Sequence, residues 1–235
     1  MRLDKLLANM GYGSRKEMKK WLKSGQVTVN GETIKDGKVQ INTEYDVVMF
    51  QGEQVVYRQH VYLMLNKPAG VISATEDTTE ETVLDLVPIE FQHFQPFPVG
   101  RLDKDTEGLL ILTNDGQLAH QLLSPKKHVP KTYVASIDGQ VTEADKIAFS
   151  EGVQLEDGYV CLPAKLHIEE SGMNSHIRIT IFEGKFHQIK RMFQARGHQV
   201  TYLQRVQMGS LSLDHNLELG EVRELTEEEL VQLQQ

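Results

Sequence analysis

The sequence of 235 residues is 40% hydrophobic and 25% charged, a composition typical of a globular protein with room for one medium domain and one small domain. Residues 1–5 lack the apolar core of a signal peptide, and no apolar run approaches the roughly 18 residues of a membrane helix, so we expect neither export nor membrane insertion. The single cysteine, Cys161, excludes an internal disulfide and suits a reducing cytoplasm.

The net charge of −8 is unevenly distributed along the chain. Residues 1–38 contain nine Lys/Arg and four Asp/Glu, a balance of +5, which leaves −13 for the remainder. A basic segment attached to an acidic body is the asymmetry expected when one module binds phosphate groups. Phosphate contacts position a protein on nucleic acid but do not specify a sequence, so this pattern gives no information about sequence preference.

The N-terminal residues predict two short helices. Leu3, Leu6 and Leu7 would form the apolar face of the first helix. Ser14 and Glu17 have the Ser-x-x-Glu spacing of a capping box, which opens a second helix. The cations on one side of this second helix are Lys16, Lys19, Lys20 and Lys23.

Residues 27–34 predict a strand, an Asn-Gly turn and a returning strand. A Lys/Arg helix followed by a Val-x-Val-Asn-Gly hairpin resembles the RNA-binding domain shared with ribosomal protein S-four. A solvated cationic face is the alternative interpretation of the same helix. The resemblance implies RNA contacts from Arg2, Arg15, Lys16, Lys19, Lys20 and Lys23.

Residues 50–60 are polar and carry no core signal, which predicts a linker. We place the RNA-binding domain at residues 1–57, the linker proper at 58–61 and a second domain at 62–235.

The second domain is predicted to contain more strands than helices. Predicted strands cover residues 62–65, 109–112, 132–137, 159–162, 177–182 and one or two strands within 200–213. Predicted helices cover residues 83–87, 118–123 and 186–196, with a last helix after a capping box at Thr226. Because the two types do not alternate regularly, we expect an α+β fold: a small α/β RNA-binding domain plus a domain with a mainly antiparallel mixed sheet flanked by helices.

Residues 100–108, which we term the acidic turn, place an arginine and three carboxylates between glycines, directly before an apolar strand. Such turns hold polar groups at the rim of a core, where catalytic side chains often lie. A solvated acidic turn is one alternative. A calcium loop is another, but its twelfth position, counted from Asp103, would be Asn114 instead of the required Glu.

The acidic turn resembles the catalytic motif of pseudouridine synthases, enzymes that isomerise uridine in RNA, with Asp103 as the essential residue. Residues 131–134 resemble the second motif of that family, whose aromatic residue, here Tyr133, stacks on the target base. Residues 182–192 resemble the motif Glu-Gly-x-x-x-Gln-(Ile/Leu/Val)-(Lys/Arg). This third resemblance assigns Lys190 to an ion pair with Asp103 and Ile189 to the pocket wall.

The resemblance also implies contacts between other residues of these motifs and the substrate. Arg101 is expected to help flip or hold the RNA, and we give His187 no catalytic role. The predicted substrate-binding residues are Arg101, Leu102, His187, Ile189 and Arg191. Core packing is the alternative interpretation of Tyr133 alone.

Pseudouridine formation breaks a glycosidic carbon–nitrogen bond, rotates the uracil and rejoins it through a ring carbon. It needs no redox change, so we expect no cofactor and no metal. It needs a carboxylate near the sugar or base, as glycoside chemistry does; the sequence does not decide which atom Asp103 acts on. A hydrolytic glycosidase is an alternative, with Asp105 or Glu107 as its second acid.

Within the family, residues 186–193 (aromatic-His-Gln-Ile-Lys-Arg-Met-Phe) resemble the RsuA-type enzymes, which act on the small ribosomal subunit. The resemblance implies 16S ribosomal RNA, or its assembling particle, as the partner of a cytoplasmic monomer. A synthase acting on large-subunit rRNA and a non-catalytic ribosome-assembly factor that binds rRNA are the alternatives.

Overall fold

The computed structural model describes residues 1–234. Gln235, the last residue of the predicted second domain, and the side chain of Arg15 lie outside the described residues. The chain divides into two compact units. The N-terminal unit comprises Met1–Val61 and Pro88–Pro96, and the C-terminal unit comprises Tyr62–Val87 and the residues from Phe97 onward.

The N-terminal unit packs helices against a small antiparallel sheet with strand order β2-β1-β3-β4. Its elements are α1 (Leu3–Asn9), α2 (Arg15–Lys23), β1 (Val27–Val29), β2 (Glu32–Thr33), β3 (Val48–Phe50), β4 (Glu53–Gln54) and α3 (Ile89–Gln92).

The capping box predicted for α2 is present. The backbone N–H of Ser14 donates to Glu17 Oε2 at 2.8 Å, and the N–H of Glu17 donates to Ser14 Oγ at 3.4 Å. Met18 and Leu22 are fully buried in the core of the unit, while the lysines of α2 are exposed. The two predicted helices and the first hairpin are therefore confirmed.

The prediction that residues 50–60 form a linker is wrong over its first half. The hairpin of β3 and β4 spans Val48 to Gln54, and Val55 is buried in the core of the N-terminal unit. The polar residues of this hairpin gave no core signal. What places it in the sheet is the pairing of β3 with β1, about twenty residues earlier in the chain.

The predicted helix at residues 83–87 is also wrong. Residues 83–86 form a turn, with Val83 and Val87 buried, and the helix of this region is α3, which begins after Pro88. Proline suits the start of a helix because it has no N–H to leave unpaired.

The C-terminal unit is built on a nine-stranded sheet with helices packed beside it. Its elements are β5 (Tyr62–Lys67), β6 (Phe97–Pro98), β7 (Glu107–Thr113), α4 (Gly116–Leu123), β8 (Lys131–Asp138), α5 (Glu143–Glu151), β9 (Lys165–Glu170), β10 (Asn174–Ile181), α6 (Gln188–Gln194), β11 (Gln199–Met208), β12 (Leu211–Ser212), β13 (Val222–Glu224) and α7 (Glu227–Gln234). The central order is β13-β5-β7-β11-β8-β10-β9, with β6 paired to β7 and β12 to β11. The named strands pair antiparallel except for β7 and β11, which confirms the α+β prediction.

The parallel contact of β7 with β11 requires glycine at position 108. Gly108 has a φ of +99°, and a Cβ there would lie 2.2 Å from the carbonyl oxygen of Arg205. This close approach joins the end of the acidic turn to the strand that carries Arg205.

Two local predictions near α6 need correction. The helix begins at Gln188 instead of residue 186, because His187 adopts a left-handed conformation with a φ of +48°. Residues 159–162 form no strand: Val160 makes only an isolated bridge to Gln154, although Cys161 is buried as expected. Helix α5 and strand β9 were not predicted.

Within residues 1–234, none of the helices is long and apolar enough to cross a bilayer.

Candidate active site

A cavity of about 600 Å³ opens in the C-terminal unit, lined by all three of the motifs singled out in the sequence. The acidic turn forms one wall, and the start of α6 with the residues before it forms another. Residues of β8 and β11 also line the cavity. Residues about 90 positions apart in the sequence thus surround one space large enough for a nucleoside.

Asp103 meets two basic side chains at this cavity. Lys190 Nζ lies 3.5 Å from Asp103 Oδ2, and His187 Nε2 lies 3.6 Å from Asp103 Oδ1. The Asp103 side chain is 30% exposed, so it is accessible from the cavity without being fully solvated. The expected ion pair between Lys190 and Asp103 is present, and His187 lies closer to the carboxylate than the sequence suggested.

Lys190 also binds Asp105, at a shorter distance. Its Nζ lies 2.5 Å from Asp105 Oδ1, and Asp105 is 72% exposed. The hydrogen bond from Lys190 is the main reason that the pKa of Asp105 lies below its ordinary value, so this carboxyl is ionised at neutral pH. An ionised Asp105 is a poor general acid, which weakens the glycosidase alternative.

The same contacts argue against a calcium loop. The ammonium of Lys190 stands between two of the carboxylates that would have to hold the cation. The third, Glu107, accepts a hydrogen bond from the hydroxyl of Tyr202 at 2.9 Å. No group of three or more metal-ligating side chains comes together among residues 1–234.

The backbone of the acidic turn is fixed by Ser73, which sequence reasoning missed. The N–H of Leu102 donates to Ser73 Oγ at 3.0 Å, and the Ser73 hydroxyl donates to the Leu102 carbonyl at 2.9 Å. Ser73 is buried, so both bonds form away from water. The residue preceding Asp103 is thereby held on both its donor and its acceptor.

A buried lysine, Lys67, holds the other side of the turn and was also missed. Its Nζ donates to the carbonyls of Pro68 at 2.9 Å, Thr106 at 3.0 Å and Lys104 at 3.3 Å. Burial lowers the pKa of Lys67 to about 8, although the nearby carboxylates of the turn act in the opposite direction. The sequence did offer one sign that Lys67 is buried: it lies at the end of an apolar strand, just before Pro68.

The third motif needs its Glu and Gln because these residues bind each other. Gln188 is buried and donates through Nε2 to Glu183 Oε1 at 2.9 Å, while its Oε1 accepts from the N–H of Lys185 at 2.9 Å. Glu183 Oε1 also accepts from the N–H of Leu162 at 2.9 Å. These bonds fix the entry into α6 and thus the position of Lys190.

Tyr133 lies on β8 with its ring at the cavity and 7% of its surface exposed. Arg205 of β11 is its direct partner across the strands. Cross-strand partners project from the same face of a sheet, so their side chains lie together.

Four of the five predicted substrate-binding residues line the cavity: Arg101, Leu102, His187 and Ile189. Arg191 is not among the lining residues. Its guanidinium instead binds Asp157 Oδ2 at 2.5 Å.

The predicted RNA-binding residues of the N-terminal unit differ in their availability. Lys16, Lys19, Lys20 and Lys23 are exposed on α2. Arg2 is instead paired with Asp4 at 2.5 Å, and the Arg15 side chain lies outside the described residues. The lysines are therefore the better candidates for phosphate contacts.

Comparisons with known proteins agree with this geometry. Residues 61–195 match the RNA pseudouridylate synthase family, and residues 1–47 match the S4 domain. The chain belongs to the RNA pseudouridylate synthase family and is an RNA pseudouridine synthase of the type that carries an S4 domain.

Relatives span the full length of the chain. The uncharacterized RNA pseudouridine synthase YtzG of Bacillus subtilis (strain 168) is 56% identical over 98% of this chain and 97% of its own. Ribosomal small subunit pseudouridine synthase A of Vibrio vulnificus (strain CMCP6) is 42% identical over 98% of both chains. A crystal structure of a pseudouridylate synthase superposes with a TM-score of 0.70 at 37% identity, covering 99% of each chain.

Proposed function

We propose that this protein isomerises uridine to pseudouridine in 16S rRNA of the small ribosomal subunit. The observation that carries the proposal is the meeting of Asp103, Lys190 and Tyr133 at one nucleoside-sized cavity. Support for the substrate comes from full-length relatives named ribosomal small subunit pseudouridine synthase A, which are about 40% identical.

In this proposal Asp103 is the catalytic carboxylate. It acts on a uridine turned out of its RNA, because a base within a helix cannot reach a carboxylate inside a cavity. Lys190 orients Asp103 through their ion pair, and the ring of Tyr133 stacks on the uracil. Arg101, Leu102, Ile189 and His187 contact the nucleotide as lining residues of the cavity. Arg191 serves the site through its ion pair with Asp157, which anchors α6.

The domain roles follow from the same reasoning. Residues 1–57 bind rRNA through the lysines of α2, residues 58–61 link the domains, and residues 62–235 carry out the reaction. The enzyme acts in the cytoplasm as a monomer, on rRNA or on an assembling particle. The chemistry uses side chains alone and requires no cofactor.

Mapping pseudouridine in rRNA from cells that lack the protein tests this proposal. We expect at least one uridine of 16S rRNA to lose its modification while the 23S pattern stays unchanged. A loss confined to 23S rRNA would assign the enzyme to the large subunit. An unchanged pattern in both RNAs would contradict the proposed function.

A further inference from the structure

The cavity contains two cations that the reaction as described so far does not use. Arg205 is buried, with 2% of its surface exposed, and its Nε donates to the carbonyl of Leu109 at 2.7 Å. Its Nη2 is buried and has no hydrogen-bond partner among residues 1–234. Both Arg205 and Lys131 line the cavity.

Lys131 is adjacent to Arg205 in the wall. Its Nζ donates to the carbonyl of Val129 at 3.1 Å, which leaves further N–H donors for another acceptor. Burial, and then the charge of Arg205, lower the pKa of Lys131 to about 8. Neither cation is in an ion pair with any carboxylate of the chain that the structure describes.

The sheet register places both cations beside Tyr133. Lys131 and Tyr133 are two residues apart on β8, so their side chains project to the same face of the sheet. Arg205 is the cross-strand partner of Tyr133. A base stacked on Tyr133 therefore has the donors of Lys131 and Arg205 near its edge.

A buried arginine beside a half-buried lysine, with neither paired to a carboxylate among residues 1–234, is costly to keep in a folded protein. The carboxylates of the site, Asp103 and Asp105, are instead matched by Lys190 on another wall. The charge that would balance Lys131 and Arg205 must come from the substrate. Uracil offers two carbonyl oxygens as acceptors and becomes negatively charged when its glycosidic bond breaks.

We propose that Lys131 and Arg205 bind the carbonyl oxygens of the flipped uracil and stabilise the anion that forms as the base leaves C1′. The C1′–N1 bond breaks and its electron pair moves onto the ring, where it spreads over N1, O2 and O4. The ring turns and C5 bonds to C1′. C5 then gives its proton to water, and N1 takes up a proton from water. Donors aimed at developing charge act mainly on the rate of the chemical step.

This inference rests on the proposed isomerisation of uridine, and turnover by the wild-type protein checks that reaction independently. The test compares single-turnover cleavage of the glycosidic bond in two RNA transcripts that the wild-type protein modifies, one containing uridine and one containing 5-fluorouridine. Fluorine makes the ring more acidic, so the departing base needs less help from the protein.

Lys131→Met should lose about 10²-fold in rate on uridine RNA but less than tenfold on 5-fluorouridine RNA. Lys131→Arg, which keeps the charge, should recover most of the rate. Arg205→Lys keeps the positive charge but removes the Nη2 donor, so it should show the same dependence on the leaving group. It replaces Lys131→Met in the test if that variant does not fold. Lys146→Met, on the exposed face of α5, is the matched control and should behave as wild type on both RNAs.

Equal losses of cleavage rate on the two RNAs would overturn the inference, because the effect of a residue that only packs does not depend on the acidity of the base. A defect confined to KM, with the log–log salt slope of binding reduced by about one unit, would also overturn it and assign these cations to a backbone phosphate.

Discussion

The two units use lysine in opposite ways. On α2 of the N-terminal unit, Lys16, Lys19 and Lys20 are exposed point charges on the face opposite the core. In the C-terminal unit, Lys67 is fully buried against carbonyl groups, and Lys190 is shared between two carboxylates. Exposed cations suit a salt-dependent grip on phosphate, whereas buried cations fix the geometry of other groups.

The comparison predicts that substitutions in the two units will affect different measured quantities. Removing an exposed lysine should change affinity for RNA. Removing a buried lysine should change the rate of reaction or the stability of the fold.

The largest of these effects should come from Lys190. Lys190→Met removes the cation paired with Asp103 and should lower kcat about 10²- to 10³-fold, as measured by tritium release from RNA whose uridines carry the label at C5. Lys190→Arg should retain more activity than Lys190→Met because it keeps the positive charge. If Lys190→Met kept the wild-type kcat, the ion pair would have no part in the reaction.

Lys67→Met should have the next largest effect. It leaves the carbonyls of Pro68, Lys104 and Thr106 without their donor, so the free energy of unfolding should fall by about 1–3 kcal/mol. We expect kcat to fall as well, because the acidic turn loses its support. Denaturant unfolding and steady-state kinetics measure the two effects, with Lys146→Met as the exposed control.

The difference in stability between wild type and Lys67→Met should depend on pH. The pKa of Lys67 is about 8 in the folded protein against an ordinary value of 10.5, so the unfolded chain binds more protons between these values. The stability of the wild type relative to the variant should therefore rise from pH 8 to pH 10.5. A stability difference that is constant over this pH range would show that the pKa of Lys67 is not lowered in the folded protein.

Replacing Lys16, Lys19 and Lys20 together by Gln should act on affinity alone. The log–log salt slope of rRNA binding should decrease by about 2 to 3 units, and kcat at saturating RNA should stay within about threefold of wild type. Filter binding across a salt series measures the slope. An unchanged slope would mean that α2 does not contact phosphate groups.

The smallest effect should come from Cys161. Burial raises the pKa of its thiol to about 11, so the unreactive protonated form dominates at pH 8. Cys161→Ala should keep activity within about twofold, and iodoacetamide should leave the native wild type unmodified by mass spectrometry. Rapid alkylation with loss of activity would contradict this.

The sequence was enough to predict most of the residues of the three motifs that line the cavity, but not Ser73, Lys67 or Arg205. Asp103 and Lys190 belong to short motifs, and the structure brings them together from 87 positions apart as the resemblance implied. Ser73 and Lys67 hold the acidic turn through bonds to Leu102 and Thr106. Arg205 bonds to the carbonyl of Leu109 on a neighbouring strand. These partners lie far away in the sequence, so local patterns do not reveal them.

The errors in the predicted secondary structure have the same physical origin. The hairpin of β3 and β4 is polar, and only its pairing with β1 makes it part of a sheet. The apolar residues at 83–87 are buried without being helical, because burial of a short segment does not decide its backbone conformation. Long periodic segments such as β7 and α4 were predicted correctly because local sequence and long-range packing favour the same structure.

The most direct test of the account is to restore either wild-type protein or Asp103→Asn to cells that lack the gene and to map pseudouridine in 16S rRNA. We expect wild type to restore the missing modification and Asp103→Asn to restore none, while the purified variant still binds rRNA within a few fold of wild type. Full restoration by Asp103→Asn would contradict the central role given to this carboxylate.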